Sequence, residues 1–187
     1  MPTDPAFGTQ NPSTTIRVAT LDDAALLHDV AAATFALACP PGTTQESIDD
    51  FIATHLSETR FAGYLADPDR VLYVATVDGV AAGYTMLVVA EPTDPDVTAA
   101  ITTRPTAELS KVYVRAGHHG TGLAAELVRV TVDAARDRGA AAVWLGVNNE
   151  NAKANRFYEK QGFVNVGTKH FVVAGKVEDD FVRVLEL

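Results

Sequence analysis

Residues 107–124 read Ala-Glu-Leu-Ser-Lys-Val-Tyr-Val-Arg-Ala-Gly-His-His-Gly-Thr-Gly-Leu-Ala, which is a strand, then a glycine-rich loop, then the first turn of a helix. Val112, Tyr113 and Val114 favour a strand. Gly117, Gly120 and Gly122 permit positive φ and a close approach of backbone to ligand. From Leu123 to Arg138 the period becomes helical, with Leu123, Leu127, Val130 and Ala134 on one stripe. Free N–H groups and the dipole at a helix N-terminus attract anions. The stretch therefore predicts either a phosphate-binding loop or a plain glycine-rich turn. No Gly-Lys-Ser/Thr follows, which excludes a Walker loop, and Gly117-x-x-Gly120-x-Gly122 is not a dinucleotide fingerprint.

The chain has 187 residues, 47% of them hydrophobic, which suits one globular domain over residues 15–187 after a disordered tail at 1–14. Its apolar runs are too short for a membrane span, and Met1-Pro2-Thr3-Asp4 does not open a secretory signal, so a cytoplasmic protein is expected. The single cysteine, Cys39, excludes an internal disulfide and any multi-cysteine metal site. His28, His55, His118 and His170 have no metal-ligand spacing and read as surface or core residues, so no metal is expected. The net charge of −9 argues against nucleic acid. Residues 1–106 carry 4 Lys/Arg against 14 Asp/Glu, whereas residues 107–187 carry 11 against 10. An anionic ligand in the second half and a cationic one beside the first would fit, as would a merely solubilising acidic surface.

In chain order, Thr15–Ala19 reads as a strand. A helix then runs from a Thr20/Asp23 capping box to about Ala38, with Leu27, Val30, Ala31, Thr34 and Phe35 inward. Thr44 caps a second helix and Ser57 a short third one. Val71–Val77 and Ala81–Ala90 are strands joined at Asp78-Gly79. Residues 91–106 read as a long acidic loop. After the central strand and its helix come a buried strand at Ala141–Val147, parallel to the central one, and a helix at about Ala152–Gln161. Strands at Phe163–Val173 and Phe181–Leu187 come last, with Ala174-Gly175 and Glu178-Asp179-Asp180 in the turn between them. Trp144 and Phe157 read as core.

The order β-α-α-β-β-β-α-β-α-β-β, an α/β chain with a central mixed sheet flanked by helices, resembles the GNAT (Gcn5-related N-acetyltransferase) superfamily. Four pieces carry the resemblance. Glu108-Leu-Ser-Lys-Val-Tyr-Val114 is similar to its fourth strand, and His119-Gly-Thr-Gly122-Leu-Ala124 to its Gln/Arg-x-x-Gly-x-Gly/Ala pyrophosphate loop. Asn151-Ala-Lys-Ala154-Asn-Arg-Phe-Tyr158 is similar to its Asn-x-x-Ala-x-x-x-Tyr helix. Glu159-Lys-Gln-Gly162-Phe163 is similar to the Glu-Lys-x-Gly-Phe segment at the end of that helix. His119 departs from the pattern, which has Gln or Arg there. The resemblance implies acetyl-CoA as co-substrate. His119, Gly120, Thr121, Gly122, Leu123, Ala124, Asn151 and Tyr158 would bind it, with Val112, Tyr113 and Val114 along the pantetheine arm; Asn151 otherwise merely caps its helix. It also implies Glu108 as general base and Tyr158 as the acid that protonates the CoA sulfur.

The chemistry agrees. An amine of pKa about 10.4 is neutral in roughly one molecule in 10³ at pH 7, so attack on a thioester needs a base, and the leaving thiolate needs an acid. No acyl-enzyme nucleophile is needed, which suits a chain whose one cysteine lies beside two prolines. Trp144-Leu-Gly-Val147, Phe157-Tyr158 and the ending Asp179-Asp-Phe-Val-Arg-Val-Leu-Glu-Leu187 resemble PaiA-type polyamine acetyltransferases. That resemblance implies spermidine or spermine as acceptor. Glu91, Asp94, Asp96, Asp49 and Asp50 are the carboxylates to face such a polycation. A protein Nα- or lysine acetyltransferase, an antibiotic-type amine acetyltransferase and a non-catalytic CoA sensor are the alternatives. The terminal hairpin is the expected contact of a homodimer.

Overall fold

The computed structural model describes residues 13–39, 42–173 and 176–187. Most of the expected tail, residues 1–12, lies outside the described residues, whereas Ser13 already donates its N–H to Asp78 Oδ1 at 2.9 Å. Strand β1 (Thr14–Val18) leads through a 3-10 turn at Leu21–Asp23 into helix α1 (Ala24–Thr34). Asp23 holds this junction. It accepts the Thr20 N–H at 2.7 Å and both ends of the Arg17 guanidinium at 2.7 Å.

The helix expected to reach Ala38 is α-helical only to Thr34 and continues as a 3-10 turn, Phe35–Ala38. The Thr34 hydroxyl donates back to the Val30 carbonyl at 2.7 Å, a bond that bends helices. Helices α2 (Gln45–His55) and α3 (Glu58–Ala66) start on the expected caps. Thr44 Oγ1 accepts the Ser47 N–H at 3.2 Å, and Ser57 Oγ accepts that of Arg60 at 3.4 Å.

Strands β2 (Arg70–Val77) and β3 (Val80–Val88) turn at Asp78-Gly79, whose φ values of 50° and 79° are the positive pair that a type I′ hairpin requires. The stretch expected as a loop at 91–106 contains helix α4 (Pro95–Ala100). Asp94 caps it through the N–H groups of Asp96 and Val97, and Pro95 pre-sets its first turn. Val97 and Ile101 beside it bury against Trp144, Val182 and Val184.

Strand β4 (Thr106–Val114), helix α5 (Leu123–Asp137), strand β5 (Ala142–Asn148) and helix α6 (Ala152–Lys160) come next, then strands β6 (Val164–Val173) and β7 (Lys176–Glu186). β7 begins before the expected Phe181. Asp179 and Asp180, expected in the turn, stand opposite His170 and Lys169 on β6, where opposite charges favour strand pairing. The other expected turn residues, Ala174 and Gly175, lie outside the described residues.

The seven strands form one sheet in the order β1-β2-β3-β4-β5-β7-β6. Only β4 and β5 pair parallel, as the helical crossover between them dictates. α5 covers one face, burying Leu123, Leu127, Val128, Thr131, Val132 and Ala135. This stripe is rotated from the expected one. Val130 and Ala134 are only half-buried, because the helix packs on Leu109, Val143 and Leu145 through its 128/132 side. On the other face α1 and α3 enclose Leu72, Tyr84 and Met86 with Leu27, Val30 and Phe61. Gly83 lets β3 close on β4, since a Cβ there would lie 2.8 Å from the Tyr113 carbonyl oxygen.

Candidate active site

The parallel pairing of β4 with β5 is short. It joins Thr106, Ala107 and Glu108 to Ala142, Val143 and Trp144 and goes no further. The register of β4 on β3 then slips, with Leu109 opposite Leu87 but Lys111 opposite Met86, so Ser110 is a bulge. A bulge bends its strand and increases the local twist. β5 instead continues along β7 to Asn148. The two parallel strands therefore part, and the edge of β4 beyond Glu108 has no strand partner on that side.

A cavity of about 530 Å³ occupies this opening. Val112, Tyr113 and Val114 of β4 line it, together with His118, His119, Gly120 and Gly122 of the loop and Ala124 and Ala125 of α5. Asn151, Lys153, Ala154, Phe157, Tyr158, Lys160 and Gln161 supply the α6 wall, and Thr34, Leu37 and Ala38 close it. Thr121 and Leu123, also expected at the site, do not line it. Thr121 Oγ1 donates to the His118 carbonyl at 2.8 Å, and Leu123 faces the core beside Leu127. Phe157, read as core, and His118, assigned no site role, both reach the cavity.

The loop has the backbone that an anion site needs. Gly120 and Gly122 have φ of 79° and 91°, whereas Gly117 lies in a 3-10 turn and needs no positive φ. Among the described residues, the N–H groups of Gly120, Thr121 and Gly122 form no internal hydrogen bond, at the head of a 15-residue helix. The lining contains Lys153 and Lys160 but no carboxylate, in a chain of net charge −9. These features fit a phosphorylated co-substrate.

Asn151 caps α6, its Oδ1 accepting the Ala154 N–H at 3.0 Å, and also faces the cavity. The Tyr158 ring packs on Phe157 and Phe163, with centroids 5.2 and 5.8 Å away. Burial raises its phenol above the ordinary value, and the hydroxyl makes no hydrogen bond among the described residues. Burial likewise pushes Tyr113 up to about 12. Glu108 does not line the cavity. It stands at the last β4–β5 pair, half-buried, one bulge away from Val112. Burial raises its carboxyl above the usual range, and the Lys169 and Lys111 ammonium groups oppose that rise.

The five carboxylates expected to face a polycation do not converge on this cavity. Glu91 holds the Thr106 N–H at 2.9 Å and Arg104 at 2.9 Å, and Asp94 caps α4. Asp96 accepts the His170 N–H at 3.2 Å, and Asp49 accepts the Gln45 amide at 2.8 Å. Asp50 is exposed on α2. Asp180, expected in a turn, shares Lys169 with Glu108, lying 3.8 Å from its ammonium while the same charge acts on the Glu108 carboxyl. Lys153 and the Thr34–Ala38 wall were also missed, because no local pattern marks a residue that reaches a site across the sheet.

The other expectations resolve simply. The Cys39 thiol lies 3.4 Å from the Phe35 carbonyl and is raised by burial, a setting for an inert cysteine. His28 bonds the Leu56 carbonyl at 2.8 Å and His170 bonds Asp179 at 2.7 Å. No cluster of potential metal ligands occurs among the described residues, and no described helix is long and apolar enough to cross a membrane.

The sequence profile of the acetyltransferase (GNAT) family matches residues 35–163. An uncharacterized N-acetyltransferase of Mycobacterium tuberculosis is 46% identical over 167 residues, which span 89% of this chain and 99% of that protein. The structure of PaiA N-acetyltransferase from Thermoplasma acidophilum, solved with coenzyme A, superposes with a TM-score of 0.73 at 20% identity. It covers 94% of this chain and 99% of its own. The spermidine/spermine N-acetyltransferase SpeG from Vibrio cholerae gives a TM-score of 0.64 at 20% identity, over 92% and 93% of the two chains. The last two share the fold. Together with the split strands and the glycine loop, the profile and the mycobacterial relative show that this chain belongs to the acetyltransferase (GNAT) family and is an acetyl-CoA-dependent N-acetyltransferase.

Proposed function

We propose that the protein acetylates a primary amine by direct attack in a ternary complex, with Glu108 as general base and Tyr158 as general acid. The observation that carries this reading is the parting of β4 and β5. It leaves the Tyr158 hydroxyl free beside the open edge of β4, with Glu108 on the same strand. Glu108 takes a proton from the amine, through water given its distance from the cavity wall. The amine nitrogen bonds the acetyl carbon, the carbon–sulfur bond breaks, and Tyr158 gives its proton to the sulfur. Backbone dipoles of β4 near Val112 and Val114 polarise the thioester carbonyl. The loop at His119–Gly122, the first turn of α5 and Asn151 hold the CoA moiety.

A polyamine is the leading acceptor. The resemblance to PaiA-type enzymes and the fold shared with a spermidine/spermine acetyltransferase support it. Its cationic groups would meet Glu108 and Asp180 rather than the five carboxylates singled out in the sequence. A thiol-release assay with acetyl-CoA against spermidine, spermine, diamines, lysine peptides and aminoglycosides tests the assignment. Turnover confined to spermidine and spermine is expected. Turnover with peptides or aminoglycosides alone would overturn the polyamine reading, and CoA binding without turnover on any amine would overturn the catalytic roles.

A further inference from the structure

His119 stands where a glutamine or arginine was expected, and its ring makes two contacts. Nε2 lies 2.9 Å from the Val114 carbonyl oxygen, and Nδ1 lies 3.0 Å from Lys153 Nζ. With Lys153 as an ammonium, the two contacts fix how the ring is used. A carbonyl oxygen only accepts, so Nε2 carries the hydrogen, and an ammonium only donates, so Nδ1 offers the lone pair.

We propose that Lys153 is the side chain that recognises the phosphate charge of the acyl donor, and that His119 is a positioning residue that holds it over the glycine loop. The proposal rests on acetyl-CoA as donor. Lys153 is on the first turn of α6 and His119 at the mouth of the loop, so their bond ties together the two walls of the cavity. Among the described residues no carboxylate pairs with Lys153. Lys160, the other lining cation, lies about 10 Å further along the axis of α6. A chain of net charge −9 repels a polyanion at long range, which makes a local cation beside free N–H groups the determinant of donor capture. The bond to His119 also restricts a side chain that would otherwise lose considerable rotamer entropy on binding. His119 thus supplies geometry and Lys153 the charge, a division of labour that a single arginine would not need.

The test compares kcat/KM for three donors: acetyl-CoA, its 3′-dephospho form and S-acetylpantetheine, which has no phosphate. In Lys153→Met the preference for acetyl-CoA over S-acetylpantetheine falls about tenfold, the size of one charge-assisted contact. A matching fall for the 3′-dephospho donor assigns the contact to the pyrophosphate, and no fall for that donor assigns it to the 3′-phosphate. His119→Phe lowers the same preference, and His119→Gln restores it, because one amide can donate to Val114 and accept from Lys153. An unchanged preference in Lys153→Met overturns the proposal. Equal loss with all three donors also overturns it, since damage to the fold does not discriminate between donors. His119→Phe with the wild-type preference overturns the positioning role. Wild-type turnover of acetyl-CoA is measured first, so that a failure of the donor assignment is recognised separately.

Discussion

The Tyr158 phenol and the Glu108 carboxyl are both raised by burial, and in the roles proposed for them the same shift serves opposite tasks. A phenol raised above its ordinary value of about 10 stays protonated throughout the physiological range and is always able to donate. A carboxyl raised above its ordinary value of about 4.3 is a better base once ionised. The pH–rate profile should carry the signature. Activity requires ionised Glu108, so kcat/KM should fall as pH drops through a limb above the ordinary carboxylate range. Glu108→Gln should remove that limb and lower kcat/KM by about 10² or more. Tyr158→Phe should lower kcat by a similar factor and leave CoA affinity unchanged in a binding titration, because no step of CoA binding uses the hydroxyl. A Tyr158→Phe enzyme with wild-type kcat while chemistry limits the rate would remove the acid assignment. Both residues were singled out in the sequence by the motifs around them. Their environments were not, because the Tyr158 ring packs on Phe163 and the Glu108 carboxyl feels the charges of Lys111 and Lys169 only once the sheet has formed.

Helix α6 carries Asn151, Lys153 and Tyr158, so the site depends on where this element sits. Arg183 of β7, 3% exposed, fixes it. The guanidinium donates to Asn155 Oδ1 at 3.0 Å, to Glu159 Oε1 at 2.9 Å and to the Phe163 carbonyl at 3.3 Å. Asn155 in turn donates to the carbonyls of Asn148 and Asn151 at 2.9 and 3.0 Å, joining the end of β5 to the start of the helix. Arg183→Met should cost about 3 kcal/mol in denaturant unfolding, because it leaves buried acceptors without donors. A loss below about 0.5 kcal/mol would show that the network does not hold the helix. The sequence signalled the helix itself, through the Asn-x-x-Ala-x-x-x-Tyr pattern from Asn151 to Tyr158. It gave no sign of the lock, since Arg183 lies in an apolar strand pattern where an arginine reads as solvent-facing. α4 and the early start of β7 went unread for a related reason. The Asp94-Pro95 start signal is present but only 6 residues of helix come after it, and Glu178–Asp180 look like turn residues until His170 and Lys169 stand opposite them.

The molecule as a whole is acidic, yet its cavity is lined by lysines and free backbone donors between elements far apart in sequence. Filling that cavity should therefore stabilise the fold. CoA at about 100 times its Kd should add about 2.7 kcal/mol to unfolding, measured as a rise in Tm, with hydrogen-exchange protection gained at residues 118–125 and along α6. A Tm unmoved by saturating CoA would contradict the site. Local chemistry specified most of the architecture. Asp78-Gly79 dictated a hairpin, helix caps at Thr20, Thr44 and Asn151 dictated starts, and a strand–helix–strand unit dictated the parallel pair. The glycine loop before α5 came from the same local logic. What no local pattern contained is the distance at which β4 and β5 part. That depends on the bulge at Ser110, on β7 taking over the edge of β5, and on α1 and α6 closing the gap from opposite sides of the chain. Such long-range packing brought Lys153 to His119 and left the Tyr158 hydroxyl free, because contacts between residues 34 or more positions apart arise only when whole elements dock.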